Sequence, residues 1–213
     1  MKQKPEIDLW AEERRLWQTG CGTICGADEA GAGPLAGPVY AAAVILPREA
    51  ELPGLNDSKK LSPKQRDRLY DAILETAVCW AVTSVSAAEI DEIDILNARI
   101  RAMDTAIKAL AVQPDMALID GNRDHGSCCA IENPHALLIH GDGRSASIAA
   151  ASILAKVSRD RYMGTLAAQY PQYGFEKHKG YGTKAHYAAL DQYGPSPEHR
   201  RSFLKKWGAQ RRE

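Results

Sequence analysis

Apolar residues follow two rhythms along this chain. Unbroken or nearly unbroken apolar runs of strand length occur at 21–28 (CGTICGAD), 38–46 (PVYAAAVIL), 78–85 (VCWAVTSV), 116–119 (MALI) and 136–139 (ALLI). The last two have no polar alternation, which predicts buried strands of a parallel sheet. Elsewhere the spacing lengthens. Leu96, Ile100, Met103, Ile107 and Leu110 recur every three or four residues, the mark of a helix buried on one face. Residues 5–17 predict a short amphipathic helix. Ser62, Pro63 and Gln65 form a capping box with proline at the first helical position, predicting a helix over 63–76. Ser86 with Glu89 repeats the cap before another short helix. After Gly143 a long alanine-rich helix should run over about 145–169, its small side chains permitting close packing on a sheet. Strands first, then helix alternating with strand, predict one α/β domain over 1–213 with a mixed sheet flanked by helices and a helical C-terminal segment.

The composition adds little until it is divided. With 213 residues, 45% hydrophobic and 25% charged, the chain has an ordinary soluble make-up. No apolar stretch approaches the ~18 residues of a membrane span, and the charged N-terminus does not resemble an export signal. A cytoplasmic protein is expected. The 27 basic and 27 acidic residues cancel overall. Residues 1–141, however, hold 14 Lys+Arg against 21 Asp+Glu, and residues 142–213 hold 13 against 6, so the two parts carry −7 and +7. Either the charge simply drifts along solvated helices, or an acidic part supplies cation ligands beside a basic surface for a polyanion. The five cysteines lack the pairing of a disulfide framework, and His125, Cys128, Cys129 and His135 lack structural zinc spacing. Reduced, mostly buried thiols are expected.

Acids gather where apolar runs end. Asp28 and Glu29 close the first run, Asp120 closes MALID, and Asp142 follows ALLIHG. A single Asp before Gly usually serves a turn or cap, but ligand sites of open α/β sheets lie at strand ends, where these four could converge. Oxygen-only donors suit Mg²⁺ or Mn²⁺, and a carboxylate-held ion pair can promote phosphodiester hydrolysis. The turn Gly31-Ala32-Gly33-Pro34-Leu35-Ala36-Gly37 fits neither a dinucleotide fingerprint nor a Walker loop. It can link two strands as a hairpin, let backbone amides approach a sugar or phosphate, or do both. Ser58 and Lys59 precede the capped helix, as a phosphate site or as a plain solvated loop. Tyr173–Lys184 interleaves aromatics, glycines and bases, and His199-Arg200-Arg201-Ser202-Phe203 adds a second basic cluster, a mixture suited to nucleic acid. A lone His178 reads as a structural hydrogen bonder.

Seven stretches together resemble the type 2 ribonucleases H, specifically bacterial ribonuclease HII: GADEAGAGPLAGPVYAAAVIL, LNDSKKLS, NARIRAMDTAI, LIDGNR, HGDGRSASIAAASILAKVSRDRYM, YPQYGFEKHKGYGTKAH and GPSPEHRRSF, in family order over about 24–203. The resemblance implies a ribonuclease-H-like fold and hydrolysis of RNA paired with DNA. It also implies incision 5′ to a ribonucleotide embedded in duplex DNA, leaving a 5′-phosphate and a 3′-hydroxyl. By resemblance Asp28, Glu29, Asp120 and Asp142 are catalytic and hold two Mg²⁺ or Mn²⁺ ions. Gly31, Ala32 and Gly33 would meet the ribonucleotide, Ser58 and Lys59 its phosphates, and Tyr181 the sugar beyond it. One position departs from the pattern. The family turn reads Gly-Arg-Gly and this one Gly31-Ala32-Gly33, so a charged phosphate contact worth roughly 1.5–3 kcal/mol is absent. A weakened, non-catalytic binder of hybrid duplexes is therefore the alternative. At this length the extra N-terminal domain of ribonuclease HIII is not expected. The ending WGAQRRE carries no obvious sliding-clamp motif, and a monomer is expected.

Overall fold

The computed structural model describes residues 8–209, so the predicted helical residues 5–7 and the terminal Gln210–Glu213 lie outside the described residues. Five strands form one sheet: β1 (Ile24–Ala30), β2 (Val39–Ile45), β3 (Cys79–Val85), β4 (Met116–Asp120) and β5 (His135–Leu138). Their order is β3-β2-β1-β4-β5. β1 pairs antiparallel with β2, and β2 with β3, whereas β1–β4 and β4–β5 are parallel. The sheet is thus mixed, and the two short runs without alternation are its parallel members. The glycine turn is the connection between β1 and β2.

Helices cover both faces. α1 (Ala11–Gln18) precedes the sheet; α2 (Pro63–Thr76) starts at the Ser62–Gln65 capping box, and α3 (Ala87–Lys108) at the Ser86–Glu89 box. α3 is interrupted at Asp94, whose backbone (φ 67°, ψ 166°) lies in a region that strains any residue but glycine. The Asp94 carboxylate accepts from the Asn97 amide at 3.0 Å, so it caps the second half anew. The two expected helices are therefore distinct in direction although continuous in chain. Upstream of the break, Asp91 accepts from the backbone amides of Arg201 and Ser202. Downstream, Ile100, Met103 and Ile107 are buried against β1, β2 and β4.

α4 (Ala146–Gln169), capped by Ser145, covers the opposite face together with α2. Alanines 146, 149, 150, 151 and 155 are fully buried, and they let the helix backbone approach closely. At Gly26 of β1 a Cβ would lie 2.1 Å from the Ser147 carbonyl carbon and 2.2 Å from the Ile148 nitrogen. Only glycine fits there. A third cluster, with Leu35, Met163, Tyr173, Phe175 and Leu190, joins α5 (Lys184–Tyr193) and the C-terminal segment to the end of α4.

All five cysteines are free, but the expectation of mostly buried thiols fails. Only Cys25 is buried, because Cys128 and Cys129 occupy a surface loop pinned through their amides to Asn97. Among the described residues no helix is long and apolar enough to cross a membrane.

Candidate active site

Parallel strands end at a common edge, and three of them deliver the acids there. Ala27 of β1 pairs with Ile119 of β4, so the chain places Asp28 and Asp120 one step further along neighbouring strands. Asp120 pairs in turn with Leu138 of β5. His140, in the left-handed conformation (φ 56°, ψ 40°), then turns the chain sharply into Gly141–Gly143, where Asp142 is buried. The Gly141 amide donates to Asp120 Oδ1 at 2.6 Å, locking this turn to the end of β4.

The carboxylates are buried enough to dislike their charge. Burial holds the Asp28 carboxyl well above its usual range, and the neighbouring charges of Glu29 and Asp120 push the same way. Burial also raises Glu29, with Asp120 adding to the effect and Arg99 opposing it. Asp120 is raised by burial and then by Asp142, against the Gly141 amide. Two cationic side chains relieve part of the repulsion: Arg99 Nη2 lies 2.6 Å from Glu29 Oε1, and the largely exposed Lys59 places Nζ 3.1 Å from Asp142 Oδ2. Glu29 Oε2 is buried without a hydrogen-bond partner.

Among the described residues no three ligating side chains already close around one point. The donor set nonetheless fits divalent cations. It consists of carboxylate oxygens, it is electrostatically strained without positive charge, and it leaves one buried oxygen unpaired.

A cleft of about 240 Å³ joins Asp28, Glu29 and Asp120 to Gly31, Ala32, Gly33, Ser58, Lys59 and Tyr181. Asp142 adjoins it through Lys59. All ten residues singled out in the sequence therefore gather at one place. Gly33 faces the tyrosine, since a Cβ there would lie 3.7 Å from the Tyr181 ring, and Tyr181 is 46% exposed. Ser58 is buried and shares a 2.8 Å hydrogen bond with Ser152 of α4, so its hydroxyl ties the loop to the helix. A larger hollow of about 620 Å³ beside Trp10 and Leu52 has only Asp8 and Glu51 as charged lining, and no comparable convergence.

The structure narrows the reading of the basic C-terminal clusters as nucleic-acid surface: Lys177, Tyr181, Lys184 and Arg201 are exposed, but other members are not. His199 and Arg200 are fully buried, as are Tyr173 and Phe175; Tyr181 is the exposed aromatic at the cleft. Arg200 is drawn inward by backbone carbonyls, to which it donates from Nε, Nη1 and Nη2. His178 is a structural hydrogen bonder as expected, its Nε2 donating to the Tyr173 carbonyl. Several site residues escaped the sequence reading: Arg99, Ser152, Lys156 and Arg159. Ser152, Lys156 and Arg159 stand at i, i+4 and i+7 on α4, and that helical face was the available signal.

Comparison with known proteins follows the same outline. The family model described as ribonuclease HII matches residues 25–207. The ribonuclease HII of Dechloromonas aromatica is 56% identical over 182 residues, covering 85% of this chain and 91% of that protein. That of Caldicellulosiruptor saccharolyticus is 51% identical over 205 residues, covering 96% and 98%. Among solved structures, ribonuclease H2 from Pyrococcus horikoshii OT3 superposes with a TM-score of 0.73 at 26% identity, covering 90% of this chain and 99% of that one. An identity above one half across nearly the whole length, on the matching fold, shows that this chain belongs to the ribonuclease HII family and is a ribonuclease H.

Proposed function

We propose that the chain hydrolyses RNA paired with DNA and incises duplex DNA on the 5′ side of an embedded ribonucleotide, leaving a 5′-phosphate and a 3′-hydroxyl. The observation that carries this reading is the shared cleft, in which carboxylates from the ends of β1 and β4 lie beside a glycine turn and an exposed tyrosine. Asp28, Glu29, Asp120 and Asp142 would hold Mg²⁺ or Mn²⁺, two ions by family resemblance. Bound there, such ions supply Lewis-acid activation of water and neutralise charge on the reacting phosphate.

The chain's own groups do the rest. Lys59, whose side chain is largely exposed, meets a backbone phosphate as a point charge. The Gly31–Gly33 amides approach the 2′-hydroxyl, the group that distinguishes RNA from DNA. Tyr181 offers its ring face to the adjoining deoxyribose. Ser58 acts indirectly, holding the Lys59 loop against α4 through Ser152.

The test is cleavage of a labelled duplex with one ribonucleotide, beside an RNA/DNA hybrid, in Mg²⁺, Mn²⁺ or EDTA. Metal-dependent incision 5′ to the ribonucleotide supports the whole reading. Cutting of the hybrid alone removes the junction-reading part, and binding without cutting of either substrate would favour the non-catalytic alternative.

A further inference from the structure

Two parts of the proposed substrate site come from distant stretches of chain, the turn at 31–33 and the loop at 179–183. One short segment touches both. After a turn in which the His199 amide donates to the Ser196 carbonyl at 3.1 Å, residues 198–200 run antiparallel to the glycine connection: Ala36 pairs with His199, the Gly37 amide donates to the Glu198 carbonyl at 2.8 Å, and the Arg200 amide donates to the Leu35 carbonyl at 2.9 Å. In such extended backbone, successive side chains leave on opposite sides. His199 and Arg200 therefore diverge, and each goes to a different half of the site.

Arg200 goes to the turn. Its Nε donates to Gly37 O at 3.0 Å, Nη1 to Ala32 O at 2.9 Å and Nη2 to Gly31 O at 2.6 Å. A trans peptide points its carbonyl and amide in opposite directions. Drawing in the carbonyls of Gly31 and Ala32 thus turns the amides of Ala32 and Gly33 away from Arg200. No carboxylate lies within salt-bridge distance of this guanidinium among the described residues, and its three hydrogen bonds go to backbone carbonyls.

His199 goes to the tyrosine loop. The Ser196 amide and hydroxyl lie 3.0 and 2.8 Å from His199 Nδ1, His199 Nε2 lies 3.0 Å from His186 Nε2, and His186 Nδ1 lies 2.9 Å from the Tyr181 carbonyl. A single set of neutral tautomers satisfies this chain. The Ser196 amide needs an acceptor, so His199 carries its proton on Nε2; His186 accepts it and donates from Nδ1 to Tyr181. Both rings are fully buried, and burial lowers both imidazoles, His199 to about 4, which keeps the chain neutral near pH 7.

We propose that Ser196–Arg200 is a positioning strap that sets the spacing between the glycine turn and the Tyr181 ring, Arg200 acting on the turn directly and His199 on the tyrosine loop through His186. The proposal rests on the reading of Tyr181 and the turn as substrate contacts. Neither side chain meets the reacting atoms; both are positioning residues.

Two substitutions at one position separate this role from simple support of the fold. In His199→Gln the side-chain amide replaces Nε2–H and keeps the link to His186. In His199→Asn the amide oxygen replaces Nδ1 and keeps the Ser196 turn while the link is lost. KM and kcat are measured on the single-ribonucleotide duplex with the Mg²⁺-loaded enzyme, beside Tyr181→Ala. Loss of the link should raise KM about tenfold in His199→Asn with kcat little changed, and leave His199→Gln within about twofold of the parent. The reverse order, or equal effects of the two, overturns the strap. If Tyr181→Ala leaves KM unaltered, the tyrosine reading falls and the strap with it; if Tyr181→Ala raises KM while the two His199 variants match, the strap alone falls. Should His199→Asn not fold, Arg200→Lys carries the test from the other side, because lysine keeps the charge and loses the fork. A raised KM is then expected, and an unchanged KM refutes the proposal.

Discussion

Two Gly→Ala substitutions in the same helix–sheet layer should have opposite signs. At Gly26 the new methyl would stand 2.1 Å from the Ser147 carbonyl carbon, whereas ordinary carbon contacts are roughly 3.5–4.0 Å. The obstacle is backbone of α4, which cannot rotate aside. Relief requires the helix and β1 to separate by more than about 1 Å, and overpacking of this kind costs about 3 kcal/mol or more. For a chain of 213 residues that corresponds to a Tm lower by about 6–12 °C. At Gly164, inside the same α4, a Cβ meets nothing within 4 Å. There alanine should stabilise by about 0.5–1 kcal/mol, through helix propensity and a less free unfolded chain. Activity should separate as well. β1 carries Asp28 and α4 carries Ser152, so a shift of about 1 Å at Gly26 widens the cleft and should lower kcat about 10²-fold, with Gly164→Ala unaffected. Thermal unfolding by circular dichroism and hybrid cleavage well below Tm give both readings. An unchanged Tm and rate in Gly26→Ala would refute the claim that close helix approach builds the site.

Three further outcomes are expected. Asp28→Asn and Asp120→Asn should each lower kcat about 10²-fold or more, while the metal-free Tm holds or rises, because each removes a buried, repelled carboxylate; near-normal turnover in either variant would overturn the site assignment. Ala32→Arg should tighten binding of the single-ribonucleotide duplex about tenfold or more by adding a charged phosphate contact, and unchanged binding and cleavage would show that this position carries no functional weight. Folded His199 titrates near 4 against 6.5 when unfolded, so its contribution is full above about pH 6.5 and is lost as pH falls towards 4. The Tm gap between the parent and His199→Asn should therefore shrink over that range, and a gap independent of pH would show that the imidazole is not held neutral.

The four acids were legible because each ends an apolar run, and parallel strands bring their ends together whatever the intervening loops do. The capping boxes at Ser62 and Ser86 were legible because caps are local chemistry. What escaped was decided at long range. Arg200 stands in a cluster that looks like solvated basic surface, and its burial follows from the pairing of 198–200 with 35–37. His199 and His186 are thirteen residues apart and meet ring to ring because α5 folds back on the C-terminal segment. Arg99 was hidden for another reason: the strained turn at Asp94 is invisible to a helical count, and that count is what tells which way residue 99 faces.

That break has a geometric consequence of its own. In an uninterrupted helix Asp91 and Arg99, eight residues apart, would be fixed about 80° from one another around a common axis. Here Asp91 grips the chain at 201–202 while Arg99 reaches Glu29, and each half of the segment has its own rotational phase. The break therefore lets one continuous segment hold the C-terminal chain and the Glu29 carboxylate at once, at a relative angle that an unbroken helix would not give them.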